Sequence, residues 1–411
     1  MSAPRRIAIV THDCAVPGGV ESIALWLRDG LSATGGYVAD VHYLATSSRD
    51  GRSRRVVAPS SWLRRSLTEG GHAGRGESRW GANAVELEPM RYRPRRELTS
   101  ALAGYDVIQL VVGSPVWGLT TAGAGVPVVM QVATRIGWER PVQLIGQPVL
   151  PRTWRRAMTA LVGRFEASGL LAVDTVLVEN EAMLSWAASV GHPSARKAMP
   201  GVDTVRFSPG PLGHRPDGHL LSVCRLNDPR KGLRRLVDAY AQLARRRPSV
   251  PPLVIAGSGA PSPDLRGRIS ELGLDAAVMI LSDVAPDDLV ELYRGASVFL
   301  QSSWEEGLGM SVIEAMACGL PIVATETAGS RETVAHGENG WLVPQDPESE
   351  VPVALADRTL RVLSTGYDAF CAHSRARCQR LFSSEAALRH FTDAYDELLA
   401  PDRAQPVRAL R

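Results

Sequence analysis

Lysine is almost missing from this chain. Of 46 basic residues in 411, only Lys197 and Lys231 are lysines. With arginine used nearly everywhere, an ammonium at Lys231 is not filler. Cysteine is also sparse. The five present (Cys14, Cys224, Cys318, Cys371, Cys378) are scattered, odd in number and without a CxxC pair. That suggests neither a disulfide framework nor a zinc site, and it fits a reducing cytoplasm. No Asp-x-Asp pair occurs and the nine histidines show no ligand spacing, so no metal is expected. Long apolar runs are lacking too. The longest uncharged stretch, 107 to 134, is broken by Gly113, Pro115, Gly118, Gly123, Gly125 and Pro127, and it reads as two buried strands and a loop instead of a membrane span. The apolar run before His12 is only four residues long, too short for a secretory leader.

What is present is ordinary soluble composition, 45% hydrophobic and 22% charged, at a length that implies two domains. The net charge of +3 is unevenly divided. Residues 1–213 carry 24 basic and 17 acidic groups, near +7, and the remainder 22 and 26, near −4. The front excess lies mainly between Arg52 and Arg96. It would attract an anionic acceptor or a membrane surface, although a solvated arginine-rich face is the plainer reading. No nucleic-acid partner is expected.

Two series of alternating strand and helix signals follow one another. In the front half, 6 to 11, 107 to 112, 127 to 132 and 174 to 178 read as strands, and Val20, Ile23, Ala24, Leu27 and Leu31 recur at helical spacing. After a Pro- and Gly-dense link, 219 to 224, 252 to 256, 278 to 281, 297 to 301 and 321 to 325 form a second strand series. The expected fold is α/β, with two parallel-sheet domains facing each other across a cleft where strand carboxyl ends favour ligands. The domains are expected at 1–205 and 206–375, with a helical segment at 376–411 that packs back on the first. The arginine-rich stretch 151 to 165 reads as a surface helix, with peripheral attachment to the inner membrane face as the alternative.

Chemistry concentrates in the second half. Arg225 emerges at the end of a strand. Lys231 follows Asp228 and Pro229, a helix-start signal that places it in the first turn of a helix running to Ala244. A cation there opposes the helix dipole unless an anion joins it, so the pair reads as a diphosphate clamp. Further on, EEGLGMSVIEAM places Glu314 in an apolar helix from 308 to 318, where a carboxylate needs donors from the fold or from a ligand. Glu306 sits in the loop before it. Gly307 and Gly309 let a ligand approach the backbone amides of Leu308, Gly309 and Met310. Trp304 beside them reads as a core residue or a stacking platform.

The span SSWEEGLGMSVIEAMACGLPIVAT resembles the signature of the retaining nucleotide-sugar glycosyltransferases of family 4, which have two Rossmann-like domains in the GT-B arrangement. SVCRLNDPRKGLRRLVDAY, VIAGSGA and MPGVDTVRFSPG resemble further segments of that family, and THDCAVPGGVES resembles its first loop. The resemblance implies transfer, with retention, of a hexosyl or N-acetylhexosaminyl group from a UDP-linked donor to a hydroxyl of a small molecule, glycan or lipid-linked acceptor, without a metal. It implies that Arg225 and Lys231 hold the leaving diphosphate, Glu306 a sugar hydroxyl and Glu314 the ribose, with Glu305 a bystander. Backbone near Asp283 and Val284 would meet the base, and Gly18 and Gly19 would approach from the front domain. One departure is visible: where many family members have a histidine, this chain has Ala133 and Thr134. His12 or Thr134 would then serve in its place. A catalytically silent binding subunit or a nucleotide-sugar epimerase of similar fold are the alternatives.

Overall fold

The computed structural model describes residues 3–13, 18–46, 50–63, 68–69, 76–144, 149–211 and 213–400. Cys14 and the last residues of the expected C-terminal segment lie outside them. Among the described residues fourteen strands run in chain order: β1 (Arg5–His12), β2 (Tyr37–Leu44), β3 (Thr68–Glu69), β4 (Glu77–Trp80), β5 (Val107–Val112), β6 (Val128–Val132), β7 (Thr175–Val178) and β8 (Ala195–Lys197), then β9 (His219–Val223), β10 (Leu253–Gly257), β11 (Val278–Ser282), β12 (Ala296–Gln301), β13 (Ile322–Thr325) and β14 (Gly340–Val343). The first eight make one sheet, ordered β3-β4-β2-β1-β5-β6-β7-β8, and the last six another, ordered β11-β10-β9-β12-β13-β14. All neighbours are parallel except β3 and β4.

β5, β6 and β7 are buried along their whole length. This is what covering both faces of a parallel sheet with helices demands. Helix Gly19–Ala33 buries Ile23, Ala24, Leu27 and Leu31, the residues whose spacing predicts it. In both sheets the strand order reverses at one place, between β1 and β5 in the first and between β9 and β12 in the second. At such a reversal adjacent loops diverge and leave a crevice at the carboxyl edge.

The two domains share their ends. Helix Tyr367–Phe382 packs on the second domain, burying Tyr367, Cys378 and Phe382. The last helix, Ser384–Leu399, buries Phe391 and Tyr395 with Ile7, Ile9 and Leu27 in the first domain's core. There the Tyr395 hydroxyl donates to Gln109 Oε1 at 2.8 Å. The expected boundary at 376 therefore falls inside a helix, and the chain crosses between domains next to Ser383. At that crossing the Val202 amide donates to the Phe382 carbonyl at 2.8 Å and the Ser384 amide to the Val202 carbonyl at 3.1 Å. The stretch 151 to 165 forms helix Val149–Gly163, on which Trp154 is exposed. No helix among the described residues is long and apolar enough to cross a membrane.

Candidate functional site

The two crevices face each other. From the first domain, His12 ends β1 and stacks on Trp117 with ring centroids 5.4 Å apart. The Gly113 amide, just beyond β5, donates to its Nε2 at 3.3 Å. Burial holds the His12 pKa down to about 4, so the ring stays neutral at physiological pH. From the second domain, Arg225 follows β9 and donates to Asp228 Oδ2 at 2.7 Å. His12, Trp117 and Arg225 line one cavity of about 600 Å³ with Asp228 and Asn227.

Lys231 does not lie in the helix that follows it. It closes a 3-10 turn, Pro229–Lys231, capped by the Asp228 side chain. Gly232 then breaks the chain at φ 60° before helix Leu233–Arg246 begins. A side chain on Gly232 would come within 2.2 Å of the Ser302 carbonyl oxygen. The separate turn frees the lysine to aim across the loop, where Nζ meets Glu306 Oε1 at 2.5 Å with both side chains largely buried. Glu306 also accepts from Ser303 Oγ at 3.2 Å and Gln301 Nε2 at 3.4 Å. A cation and an anion are thus held together and oriented, largely out of water.

The loop after Glu306 is shaped by contact with the other domain. A Cβ on Gly307 would lie 2.6 Å from Ala133 Cβ, so the approach of the first domain requires glycine here. Its carbonyl accepts from Asn180 Nδ2 of the first domain at 2.8 Å. Gly309 has φ 91° and caps helix Met310–Cys318. Leu308 is buried, and Met310 packs against the cores of both domains.

Glu305, the expected bystander, is a structural link instead. Its Oε1 accepts from Thr134 Oγ1 at 2.9 Å and its Oε2 lies 3.3 Å from Arg230 Nη1. Arg230 is 7% exposed and also binds Asp228 and, across the cleft, Glu139, each at 2.7 Å. Thr134, one candidate for the missing histidine's work, is thus engaged with Glu305 across the interface. In a chain so rich in arginine, nothing in the sequence marks Arg230. Its neighbours are what give it away.

Glu314 lies one helix away from this cluster. The Tyr293 hydroxyl donates to its Oε2 at 2.7 Å. Burial raises its pKa to about 7 against the opposing pull of Tyr293 and Arg206. It does not line the large cavity, and its carboxylate is directed to Tyr293 on helix Pro286–Gly295. Val284 and Asp283 follow β11, where Asp283 sits at φ 53° and accepts from the Gly259 amide at 3.1 Å. Gly18 and Gly19 begin helix Gly19–Ala33, and Gly19 has open space where a side chain would be.

A residue the sequence gives no hint of is Glu179, at the end of β7. It is 4% exposed and accepts from Gln131 Nε2 at 3.2 Å. Burial, with the nearby charges of Glu306 and Glu305, raises its pKa to about 7. Among the described residues no group of three His, Cys, Asp or Glu side chains is placed to hold a metal ion.

Residues 217–365 match the family model described as Glycosyl transferases group 1. The chain is 33% identical over 230 residues to a D-inositol 3-phosphate glycosyltransferase of Saccharomonospora viridis, across 51% of this chain and 52% of that protein. It is 34% identical over 204 residues, 45% of this chain and 52% of the relative, to a GDP-mannose-dependent alpha-(1-6)-phosphatidylinositol monomannoside mannosyltransferase of Mycolicibacterium smegmatis. The match thus spans about half the length of these curated relatives. Among solved structures, Anabaena HepE in complex with UDP-glucose superposes with a TM-score of 0.66 at 19% identity, covering 95% of this chain and 99% of that one. The fold is of the GT-B type.

Proposed function

We propose that this protein is a glycosyltransferase that moves a sugar from a nucleotide diphosphate donor to an acceptor hydroxyl. The observation that carries the reading is the Lys231–Glu306 pair, 2.5 Å apart beside Arg225 at the strand-order reversal of the second sheet. Charge develops on the diphosphate as the sugar departs. Preorganised cations there stabilise the transition state more than the ground state. On this reading Lys231 turns from Glu306 toward the diphosphate when the donor arrives, and Glu306 is released to hold a sugar hydroxyl. Arg225 adds the second charge, and no divalent metal is required. Glu314 accepts from the ribose, the amides of Leu308 to Met310 approach the phosphates, and backbone at Asp283 and Val284 meets the base. Gly18 and Gly19 close over the donor from the first domain, while His12 faces the acceptor as a neutral hydrogen-bonding group.

The donor is read as UDP-linked and the transfer as retaining. The relatives' names include GDP-mannose, so the first test sets the two nucleotides against each other. Calorimetric titration should give micromolar binding of UDP, weaker binding of GDP, and no change on adding EDTA. Absence of binding by either nucleotide at millimolar concentration would remove the reading. NMR of the product's anomeric proton should report the donor's configuration. Transfer by the purified chain alone would set aside a silent binding subunit, and dependence on an acceptor would set aside an epimerase. The exposed Trp154 suits a lipid-linked acceptor, and flotation with anionic vesicles tests that.

A further inference from the structure

Two buried side chains on the first domain's side have no task in that scheme. Gln131 lies in β6 opposite Leu177 of β7, and Glu179 follows β7 directly. They are 1% and 4% exposed and joined by the Gln131 Nε2 to Glu179 Oε1 hydrogen bond of 3.2 Å. Gln131 Oε1 has no hydrogen-bond partner among the described residues. Buried amide oxygens are rarely left so, because desolvating an acceptor without replacing its bond is unfavourable.

The second domain repeats the arrangement. Gln301 ends β12, is 5% exposed, donates from Nε2 to Glu306 Oε1 at 3.4 Å, and likewise leaves its Oε1 without a partner among the described residues. Each domain therefore presents a buried amide that steadies a carboxyl group with its nitrogen and offers its oxygen. The two sets are neighbours. The charges of Glu306 and Glu305 act on Glu179, and the next residue, Asn180, reaches the Gly307 carbonyl at 2.8 Å. Glu179 is bonded to Gln131 and feels Glu305 and Glu306, of which Glu305 holds Thr134 and Arg230 and Glu306 holds Lys231.

We propose that Glu179 and Gln131 form the first domain's wall of the pocket for the transferred sugar, opposite Gln301 and Glu306, and that this wall selects a neutral sugar. The proposal rests on the nucleotide-sugar reading of the site. An amide oxygen accepts and does not donate, so its partner must bring O–H or N–H, as hexose hydroxyls and acetamido groups do. A carboxylate on the sugar would bring no donor and would meet three glutamates. The wall thus favours a hexose or N-acetylhexosamine over a hexuronic acid. The raised Glu179 pKa fits the same picture, since a protonated carboxyl can donate as well as accept.

The test compares each bare nucleotide with its sugar-bearing form. Dissociation constants are measured for UDP, GDP, UDP-glucose, UDP-N-acetylglucosamine, GDP-mannose and UDP-glucuronate with the parent chain, Gln131→Leu, Glu179→Ala and Glu179→Gln. Expected is about a tenfold loss for the preferred neutral sugar nucleotide in Gln131→Leu and Glu179→Ala. Bare nucleotide should stay within about twofold, Glu179→Gln should be close to the parent, and UDP-glucuronate should bind the parent at least tenfold more weakly than UDP-glucose, a gap that narrows in Gln131→Leu and Glu179→Ala. Normal nucleotide binding with unchanged sugar affinity in both variants overturns the wall, as does equal or tighter binding of UDP-glucuronate. If no nucleotide binds the parent chain, the donor reading itself has failed. Thermal unfolding is followed in parallel, and should Glu179→Ala not fold, Gln131→Leu decides alone.

Discussion

The two sheets reverse strand order in the same way, yet different side chains stand at the two reversals. Between β9 and β12 stand Arg225, Arg230 and the Lys231–Glu306 pair, a charged and preorganised surface. Between β1 and β5 stands a neutral histidine stacked on Trp117 and held by a backbone amide. The topology supplies a place at each carboxyl edge, and the loops decide what that place does. The second domain brings a buried lysine–carboxylate pair and two arginines. The first brings a neutral histidine and an aromatic face at the reversal itself, with Glu88, Arg91, Glu139 and Arg140 along the rest of the shared cavity.

The comparison breaks first at Lys231. On the proposed reading Lys231→Ala removes the charge beside the leaving group and strips Glu306 of its cationic partner, so kcat should fall on the order of 10³-fold. A loss under about tenfold would mean that the charged crevice does not act in the chemical step. Arg225→Ala should weaken UDP binding about 10- to 100-fold, the equivalent of one or two charge-assisted hydrogen bonds, as read by calorimetry. Glu314→Gln sharpens the contrast through pH. The folded pKa of about 7 lies above the reference 4.5, so the folded state holds the extra proton. The stability this group contributes is complete below about pH 4.5 and lost as pH rises through 7. The variant should therefore melt higher than the parent at pH 8 and equally at pH 4.5, while binding UDP about tenfold more weakly if the ribose reading holds. Thr134→Val deletes one bond across the cleft, at about 1 kcal/mol, and should raise the donor KM about fivefold with kcat little changed. In the first domain's crevice, the His12 ring should show no NMR titration between pH 5.5 and 8, because burial keeps its pKa near 4.

The second domain is the more legible of the two. Its strands are apolar runs set off by Pro and Gly, and a nearly lysine-free chain draws the eye to Lys231. The first domain hides more. β2 carries Asp40 and His42 within YVADVHYL, which blurs its periodicity. β4 and β8 are only four and three residues long, and in the second sheet β14 opens on a glycine. Lys231 reads as helical because Asp228 and Pro229 are start signals, and they do start a turn. Gly232 ends it, since only glycine fits against the Ser302 carbonyl at that positive φ. The roles of Glu305, Arg230 and Glu179 depend on side chains from the other domain. No local pattern encodes such distant partners, and the rarity that exposes a lysine gives nothing for one glutamate or arginine among many.

The paired crossing at Val202 and Ser383 has a mechanical consequence. Two strands of one chain pass between the domains side by side, stitched by the 2.8 and 3.1 Å amide bonds, and Gly201 is crowded by Ala387 and Trp26. The last helix, Ser384–Leu399, is therefore fastened to the first domain although the chain reaches it only after completing the second, and a cut anywhere between Val202 and Ser383 would leave the two lobes still joined by this seam and by the Asn180–Gly307 and Arg230–Glu139 contacts.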